Sequence, residues 1–442
     1  MQVCNYFTTA REAQGFNPSY VVDLSGIPTS ETVNDIVTNE ILSQVKAKIT
    51  SIGLGKIDYI VTTYGVPLID YPEPSCSGEG GVSIDALLAN NLTDFNICSV
   101  IPGYSVYATS PYGLPSNPYA GAISSYTTQS ALQNSEFSYN KYHIYEVTRL
   151  DGPTLNSIYN LIKNAGKAGS ASGYILFNPY TTASNIQNVL PFFEISYAEQ
   201  YLESINVKYQ EVDTSFVTGV GGLSGYLSTG SNCGCTAGQN SSTWNLGFVP
   251  GAVGETLVST SARTLIQYPW TGGQSLISDL VMDNITGVIG AVSEPWSSAF
   301  DPATSLFDSY FSGFNLADSF YDGQSNLAWK ITIIGDPKAH ITSLTSVEFT
   351  TSISPTSVVL NPGQSTTFTS TVSDIRFSEY GYTYQWYSGN SPTCADDTAI
   401  SGATSSTYTY TAISPYKKYI CLGVTDGSLQ VTFSPTTSIT VQ

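Results

Sequence analysis

Cys233-Gly-Cys235 stands in a glycine-rich stretch just after a strand-like run, and it is the strongest candidate nucleophile in the chain. A thiolate there could attack a carbonyl, exchange disulfides or bind a soft metal. Nucleophilic use needs a base, and the chain holds 2 histidines, His143 and His340. The competing reading is a structural disulfide, between these two cysteines or from one of them to another, and export of the chain would favour it. A second group of polar residues falls at the ends of strand-like runs: Asp70, Arg149, Asp151, Glu294 and Asp336, with Arg263 in Ser259-Thr-Ser-Ala-Arg263. Converging on one sheet edge, Arg149, Asp151, Arg263 and Glu294 would bind a polar ligand or cation. Arg149 and Asp151 lie two apart in extended sequence, so they share a face. The plainer alternative is an internal ion pair or an Asx-type turn, the reading preferred for Asp151 and Asp336, where Gly or Pro follows. Nothing singles out a carboxylate pair spaced for glycoside hydrolysis.

These residues need a scaffold, and four hydrophobic runs supply one: 59–68, 142–153, 287–295 and 331–337. Each is rich in Val, Ile, Tyr or Thr and stops at Gly, Pro or an acid, as strands do. Helical spacing lies between them. Ser30 is the expected cap of a helix carrying Val33, Ile36, Val37, Ile41, Val45, Ile49 and Ile52, which Gly53 ends. Leu155, Ile158, Leu161 and Ile162 mark a second helix. Further helical stretches are read at 184–204, with Pro191 as a break, and at 273–285, 303–311 and 315–321. Strands are read at 173–177 and 207–212, with strand-like runs at 216–220 and 225–229. Alternating β and α units predict a mostly parallel sheet covered on both faces. Functional loops of such a sheet sit where its strands end. Residues 102–140 break the rhythm and read as a long Tyr-, Pro- and Ser-rich loop. The start, Met1–Phe16, reads as a helix that normally follows a strand, so a first strand is expected to be missing. Gly219-Val-Gly221-Gly-Leu-Ser-Gly225 lacks the third glycine and the helix of a dinucleotide loop, and it reads as a flexible loop.

With 442 residues the chain can hold two domains. Charged residues make up 11%, yet 34 acids against 15 bases leave a net charge of −19, which disfavours nucleic acid and anionic lipid as partners. No apolar run is long enough to span a membrane. Polar surface comes instead from Ser, Thr, Asn, Gly and 31 tyrosines, a composition suited to an exported protein. Three sequons, at Asn91, Asn240 and Asn284, would be glycan acceptors in that setting. The 7 cysteines fit an oxidising compartment and show no zinc spacing. Cys76 and Cys98, both in loop-like sequence, are expected to pair, leaving Cys4 as the odd thiol. The acid excess suits Ca2+, but no D-x-[DN]-x-[DN]-G loop exists and no other cofactor is indicated.

After Ile341 the texture changes. Residues 347–442 lack helical period and carry short alternating runs separated by turn formers, which predicts an all-β, Ig-like sandwich. Trp386 falls where strand C of such a fold keeps its core Trp. Tyr419-Ile-Cys421 has the spacing of a tyrosine corner. The usual strand-B Cys is absent, so Cys394, in the loop after strand C, is the expected partner of Cys421.

Several segments in order resemble an uncharacterised family of exported bacterial and archaeal proteins: NYFTTARE (5–12), IDYIVTTYGVPL (57–68), SIDALL (83–88), NPY (117–119), VTRLDGPT (147–154), PGAVGETLVSTSART (250–264), GVIGAVSEP (287–295) and IIGDP (333–337). The match covers nearly all of 1–342, with VTRLDGP its most specific piece. The family's layout is similar to that of gingipain-type cysteine peptidases. The resemblance implies a caspase-like, mostly parallel α/β sheet with flanking helices over 1–342 and an Ig-like domain of the archaeal surface-protein type over 347–442. A peptidase of that type needs a His ending one strand and a Cys ending the next. By chain order these fall at 225–231 and 250–258, and neither stretch contains them. His143 opens its strand, which places it at the wrong edge.

Three functions follow as expectations. The first is an extracellular or cell-surface protein with a non-catalytic peptidase-like domain and an Ig-like adhesion or spacer module, meeting a surface glycan or other surface proteins. The second is a secreted hydrolase, a cysteine peptidase using Cys233 or Cys235 with His143. The third is a carbohydrate binder using the tyrosines of 102–140.

Overall fold

The computed structural model describes residues 1–16, 19–71, 81–90, 114–123, 136–168, 173–179, 194–205, 207–212, 217–230, 244–268, 274–295, 297–327, 329–341, 350–373, 382–394, 397–414, 416–425 and 431–442. The chain divides into two compact units, Met1–Thr218 with Leu223–Ser346, and Gly219–Gly222 with Val347–Gln442.

The first unit is mixed α/β. Short strands β1 (Thr32–Val33), β3 (Ile69–Asp70) and β4 (Val82–Ser83) form a small sheet of their own. The main sheet has eight strands: β2 (Tyr59–Thr63), β5 (Glu146–Leu150), β6 (Tyr174–Asn178), β7 (Tyr209–Glu211), β8 (Gly221–Ser228), β9 (Gly247–Thr256), β10 (Gly287–Ala291) and β11 (Ile331–Gly335), in the order β2-β5-β11-β10-β9-β8-β6-β7. β2, β5 and β11 are mutually parallel, as are β9 with β10 and β8 with both β6 and β7. β10 and β11 are antiparallel, with Gly287 opposite Gly335 and Ala291 opposite Ile331. Every residue of β5, β6, β10 and β11 is buried. Both faces are therefore covered, which is why these strands read as continuous apolar runs.

Helices α1 (Gln2–Ala13), α2 (Asp35–Ile52), α3 (Ile84–Ala89), α4 (Leu155–Ala165), α5 (Ile195–Ser204), α6 (Ile277–Met282) and α7 (Leu316–Gly323) connect and cover the strands. The cap of α2 is Asn34, whose Oδ1 accepts from Val37 N at 3.3 Å, and not Ser30. Thr32 and Val33 pair with Ile69 and Asp70, which keeps the chain extended up to the helix. Residues 303–311 contain a π-helical turn, Thr304–Asp308, that runs into Ser309–Phe311.

One glycine-rich segment, 219–225, differs from its reading as a loop, and a second, 247–256, drew no reading from its own periodicity. Residues from Gly221 form β8 instead of a loop, because a side chain at Gly225 would collide with Phe307 and Ile175. GFVPGAVGET, which carries no apolar alternation, is strand β9, and its Gly254 lies against the Tyr226 backbone. Packing selected both against local propensity.

The second unit is a β-sandwich. β12 (Thr350–Ser354), β14 (Ser365–Ser373) and β17 (Thr407–Thr411) form one sheet. β13 (Ser357–Leu360), β20 (Thr437–Val441), β18 (Tyr416–Thr425), β15 (Thr383–Gly389) and β16 (Thr398–Ala399) form the other, with β19 (Val431–Phe433) beside β18. Ile353, Phe368 and Tyr410 of the first sheet and Trp386, Leu422 and Ile439 of the second share one core. Trp386 is fully buried and donates Nε1–H to Ser405 O at 2.9 Å. Cys394 and Cys421 form a disulfide, with Cα atoms 5.9 Å apart. Tyr419 lies inside β18, opposite Gly389 and Ser438, so it occupies no corner.

Candidate functional site

The VTRLDGPT segment places Arg149 near the end of β5 and Asp151 just beyond it. Asp85 enters from the first turn of α3, held there because Ser83 caps that helix through Ala86 N. Arg149 is fully buried. Its Nε and Nη2 donate to the two Asp85 oxygens at 2.8 Å each. Its remaining N–H groups reach Val66 O and Pro67 O at 2.8 Å and Asp151 Oδ2 at 3.3 Å. A guanidinium has five N–H donors, and all five have partners inside the chain. Asp85 also accepts from Thr62 at 2.8 Å and Thr332 at 2.5 Å. Burial disfavours the Arg149 charge, and Asp85 and Asp151 more than offset that. Burial lifts Asp151 to about 6 against the pull of Arg149 and of Gly152 N–H. Gly-Pro-Thr then turns the chain so that Thr154 and Ser157 form a capping box on α4. The motif thus builds a buried clamp and a helix start, and Arg149 has no donor left for a ligand.

The four ligand candidates do not converge. Arg149 pairs with Ile334 near the end of β11, so Asp151 lies at the β11 end that carries Asp336. β10 runs the other way, so exposed Glu294 lies where β11 begins, and its carbonyl accepts from Lys330 Nζ at 2.6 Å. Arg263 is with Glu294, since Ala262 N donates to Ala291 O at 2.8 Å. The expectation of one shared edge fails because β10 and β11 are antiparallel. Arg263 is half-buried and ties its own loop together, donating to Thr260 O at 2.9 Å and Gln274 O at 2.6 Å. Asp336 pairs with Arg11, whose Nε is 2.6 Å from Oδ2.

β8 and β9 neighbour each other in the main sheet. Leu257 N donates to Ser228 O at 2.8 Å and Gly254 packs on Tyr226, so the two strands run together. Their ends carry Ser228-Thr-Gly230 and Thr256-Leu-Val258, all fully or nearly fully buried. Gly230 adopts φ +54, and a side chain there would collide with Val258. Neither end carries a histidine or a cysteine.

His143 is exposed, ends a short helical turn with φ 56, and meets the Tyr139 ring edge-on. It precedes β5, which runs opposite to β8–β10, so it lies at the edge where those strands end. The wrong-edge expectation is therefore overturned by the antiparallel step. Four strand spacings still separate β5 from β8, roughly 19 Å. His340 is half-buried, its Nδ1 3.1 Å from Lys338 O. Cys76, Cys98, Cys233, Cys235, Asn91, Asn240 and most of 102–140 lie outside the described residues, and so does Pro191. Asn284 is exposed and accepts from Asn160 Nδ2 at 2.7 Å. Cys4 is a free, half-buried thiol.

Sequence reasoning missed Asp85, the hub of the clamp, because its partners are distant along the chain. It also missed a set of buried carboxyls. Burial pushes Glu146 well above the ordinary range, and Asp318 adds to this. Burial does the same to Glu255 and Asp301, whose N–H donates to Glu255 Oε1 at 3.0 Å. Among the described residues no cluster of three or more His, Cys, Asp or Glu is arranged to hold a metal ion, and no helix is long and apolar enough to cross a membrane.

No protein-family model matches the chain, and no curated protein matches it. Among solved structures, one similar chain comes from a study of T cell activation by the bacterial superantigen toxic shock syndrome toxin-1, at 17% identity over 22% of this chain and 100% of that one, TM-score 0.18. The fibronectin(III)-like modules of Clostridium thermocellum CbhA match at 16% identity over 21% of this chain and 94% of theirs, TM-score 0.17. A Dscam isoform structure matches at 14% identity over 26% of this chain and 24% of that one, TM-score 0.17. Scores this low carry no argument. The sandwich rests on its own strand pairing and shared core.

Proposed function

We propose that the chain is an extracellular or cell-surface protein whose α/β unit is a caspase-like, gingipain-type scaffold without a working dyad. Its C-terminal sandwich then acts as an Ig-like adhesion or spacer module toward a surface glycan or other surface proteins. The observation that carries this reading is the pair of adjacent strand ends at Ser228–Gly230 and Thr256–Val258. A peptidase would hold its base and its thiolate at such ends. Here they are packed shut by hydroxyl, glycine and aliphatic side chains. The Cys394–Cys421 disulfide and the low content of charged residues support an oxidising, external setting.

The alternative is a cysteine peptidase using Cys233 or Cys235. It keeps a place because 231–243 follows directly on the end of β8. Purified protein is expected to leave a mixed peptide and protein library intact, with and without reductant and calcium. Cleavage that disappears in Cys233→Ala or Cys235→Ala would replace the first reading with the second.

A further inference from the structure

The outer edge of β2 is open. Asp58 O accepts from Glu146 N at 3.2 Å and Tyr64 N donates to Leu150 O at 3.1 Å, so the even-numbered residues face β5. Backbone groups alternate along a strand, which turns those of Tyr59, Val61 and Thr63 the other way. Thr63 O is taken by Val66 N at 3.0 Å. No described strand pairs with that edge. Buried unpaired backbone groups are costly, so a half-buried strand edge calls for a partner.

A cavity of about 380 Å³ runs along this edge. It is the size of a ligand site, and none of the sequence-derived candidates lines it. Phe7 of α1 and Val45 and Ile49 of α2 give it apolar walls. Tyr20, Val21 and Val22, which belong to no helix or strand, also line it.

Its charge is unlike that of the rest of the chain. The whole molecule carries −19. The charged lining residues are Arg11, Lys48, Lys56, Lys338 and a single acid, Asp58. Arg11 is already paired with Asp336, which leaves three lysines against one carboxylate. Lys338 Nζ sits 3.8 Å from the centre of the Tyr59 ring.

We infer that this slot is a β-strand docking site that takes an extended, carboxylate-bearing peptide segment, which adds a ninth strand to the sheet at β2. Main-chain bonds to Tyr59, Val61 and Thr63 supply affinity, apolar walls accept alternate side chains, and the lysines select acidic ends. An apolar small molecule would leave the backbone groups unpaired. A second copy of this chain would bring one body of net charge −19 against another.

The test is fluorescence anisotropy of the full chain with a labelled Glu-Thr-Val-Thr-Val-Thr-Glu peptide, beside its Lys-ended counterpart. The Glu-ended peptide is expected to bind at least ten-fold tighter, to weaken with salt, and to protect the amides of Tyr59, Val61 and Thr63 from hydrogen exchange. Val61→Pro removes an outward N–H and no hydrogen bond to β5, so it should abolish binding in a chain that still folds. Lys56→Glu, at an exposed position, should weaken binding several-fold and carries the test if Val61→Pro does not fold. Equal binding by Val61→Pro and Lys56→Glu would overturn the proposal. So would no binding of either peptide, or amide protection that rises with protein concentration alone, which would assign the edge to a second copy.

Discussion

Arg149 and Asp85 form a fully buried, two-pronged ion pair between β5 and α3, with Nε–Oδ2 and Nη2–Oδ1 both at 2.8 Å. The pair joins residues 64 apart in sequence and also fixes the Val66–Pro67 turn. Its role is to lock the strand ends.

Arg149→Ala leaves Asp85 and two carbonyls buried without their donors. Removing one partner of a buried pair costs about 3–5 kcal/mol. Arg149→Lys should recover little, since an ammonium cannot match both prongs. Denaturant titration of each variant checks this; a loss under about 1 kcal/mol for Arg149→Ala would mean the clamp is dispensable.

Thr154→Ala removes the cap of α4 and its reciprocal bond to Ser157. The expected loss is about 1 kcal/mol. Thr154→Ser should restore most of it, because the hydroxyl is retained. Equal stability for the Ala and Ser variants would show that the capping box contributes nothing.

Among the described residues, burial moves several carboxyls upward from their ordinary range. Burial, then Asp35, raises Asp70 to about 7. Burial, then Asp322 and Glu194, raises Asp308 to about 8, and burial raises Asp283 to about 6. A carboxyl whose folded pKa exceeds its unfolded one binds its proton more tightly when folded. Stability is then fully present below the unfolded value and falls as pH rises through the folded one. Melting should therefore move up, by at least about 3 °C, on acidification from pH 8 to pH 5. A melting temperature that falls over that interval would mean these carboxyls are ionised in the folded protein.

The Cys394–Cys421 bridge closes a loop with sequence separation 27. A loop of that length is worth about 3.5 kcal/mol through the unfolded chain. Cys394→Ser with Cys421→Ala should lower the transition of the sandwich and leave that of the α/β unit in place. Trp386 is the one tryptophan of residues 347–442, so it reports on the sandwich, while the rest of the 5 report on the α/β unit. A shift common to both would show that the units unfold together.

Local sequence determined where most strands and helices lie. The buried strands β5, β10 and β11 are apolar on both faces, and α4 has its own cap, its own period and its own terminating Gly166. The change from helical to alternating pattern after Ile341 likewise marked the sandwich, and Trp386 and Cys394–Cys421 took the places their spacing implied. Only the second half of β8 was legible, as the run at 225–229, and β9 was not, because glycine there answers to neighbours such as Phe307 and Ile175 that lie far along the chain. The start of α2 was set by pairing of Thr32–Val33 with Ile69–Asp70, and not by Ser30. The candidate site was least legible of all. Whether Arg149 meets a ligand or Asp85 depends on where α3 packs, and whether Glu294 joins Asp151 depends on the direction of one strand, β11, against β10. Strand direction is a property of the assembled sheet, since a β-run reads the same to its own residues whichever way its neighbour points. Only the tertiary structure could decide it.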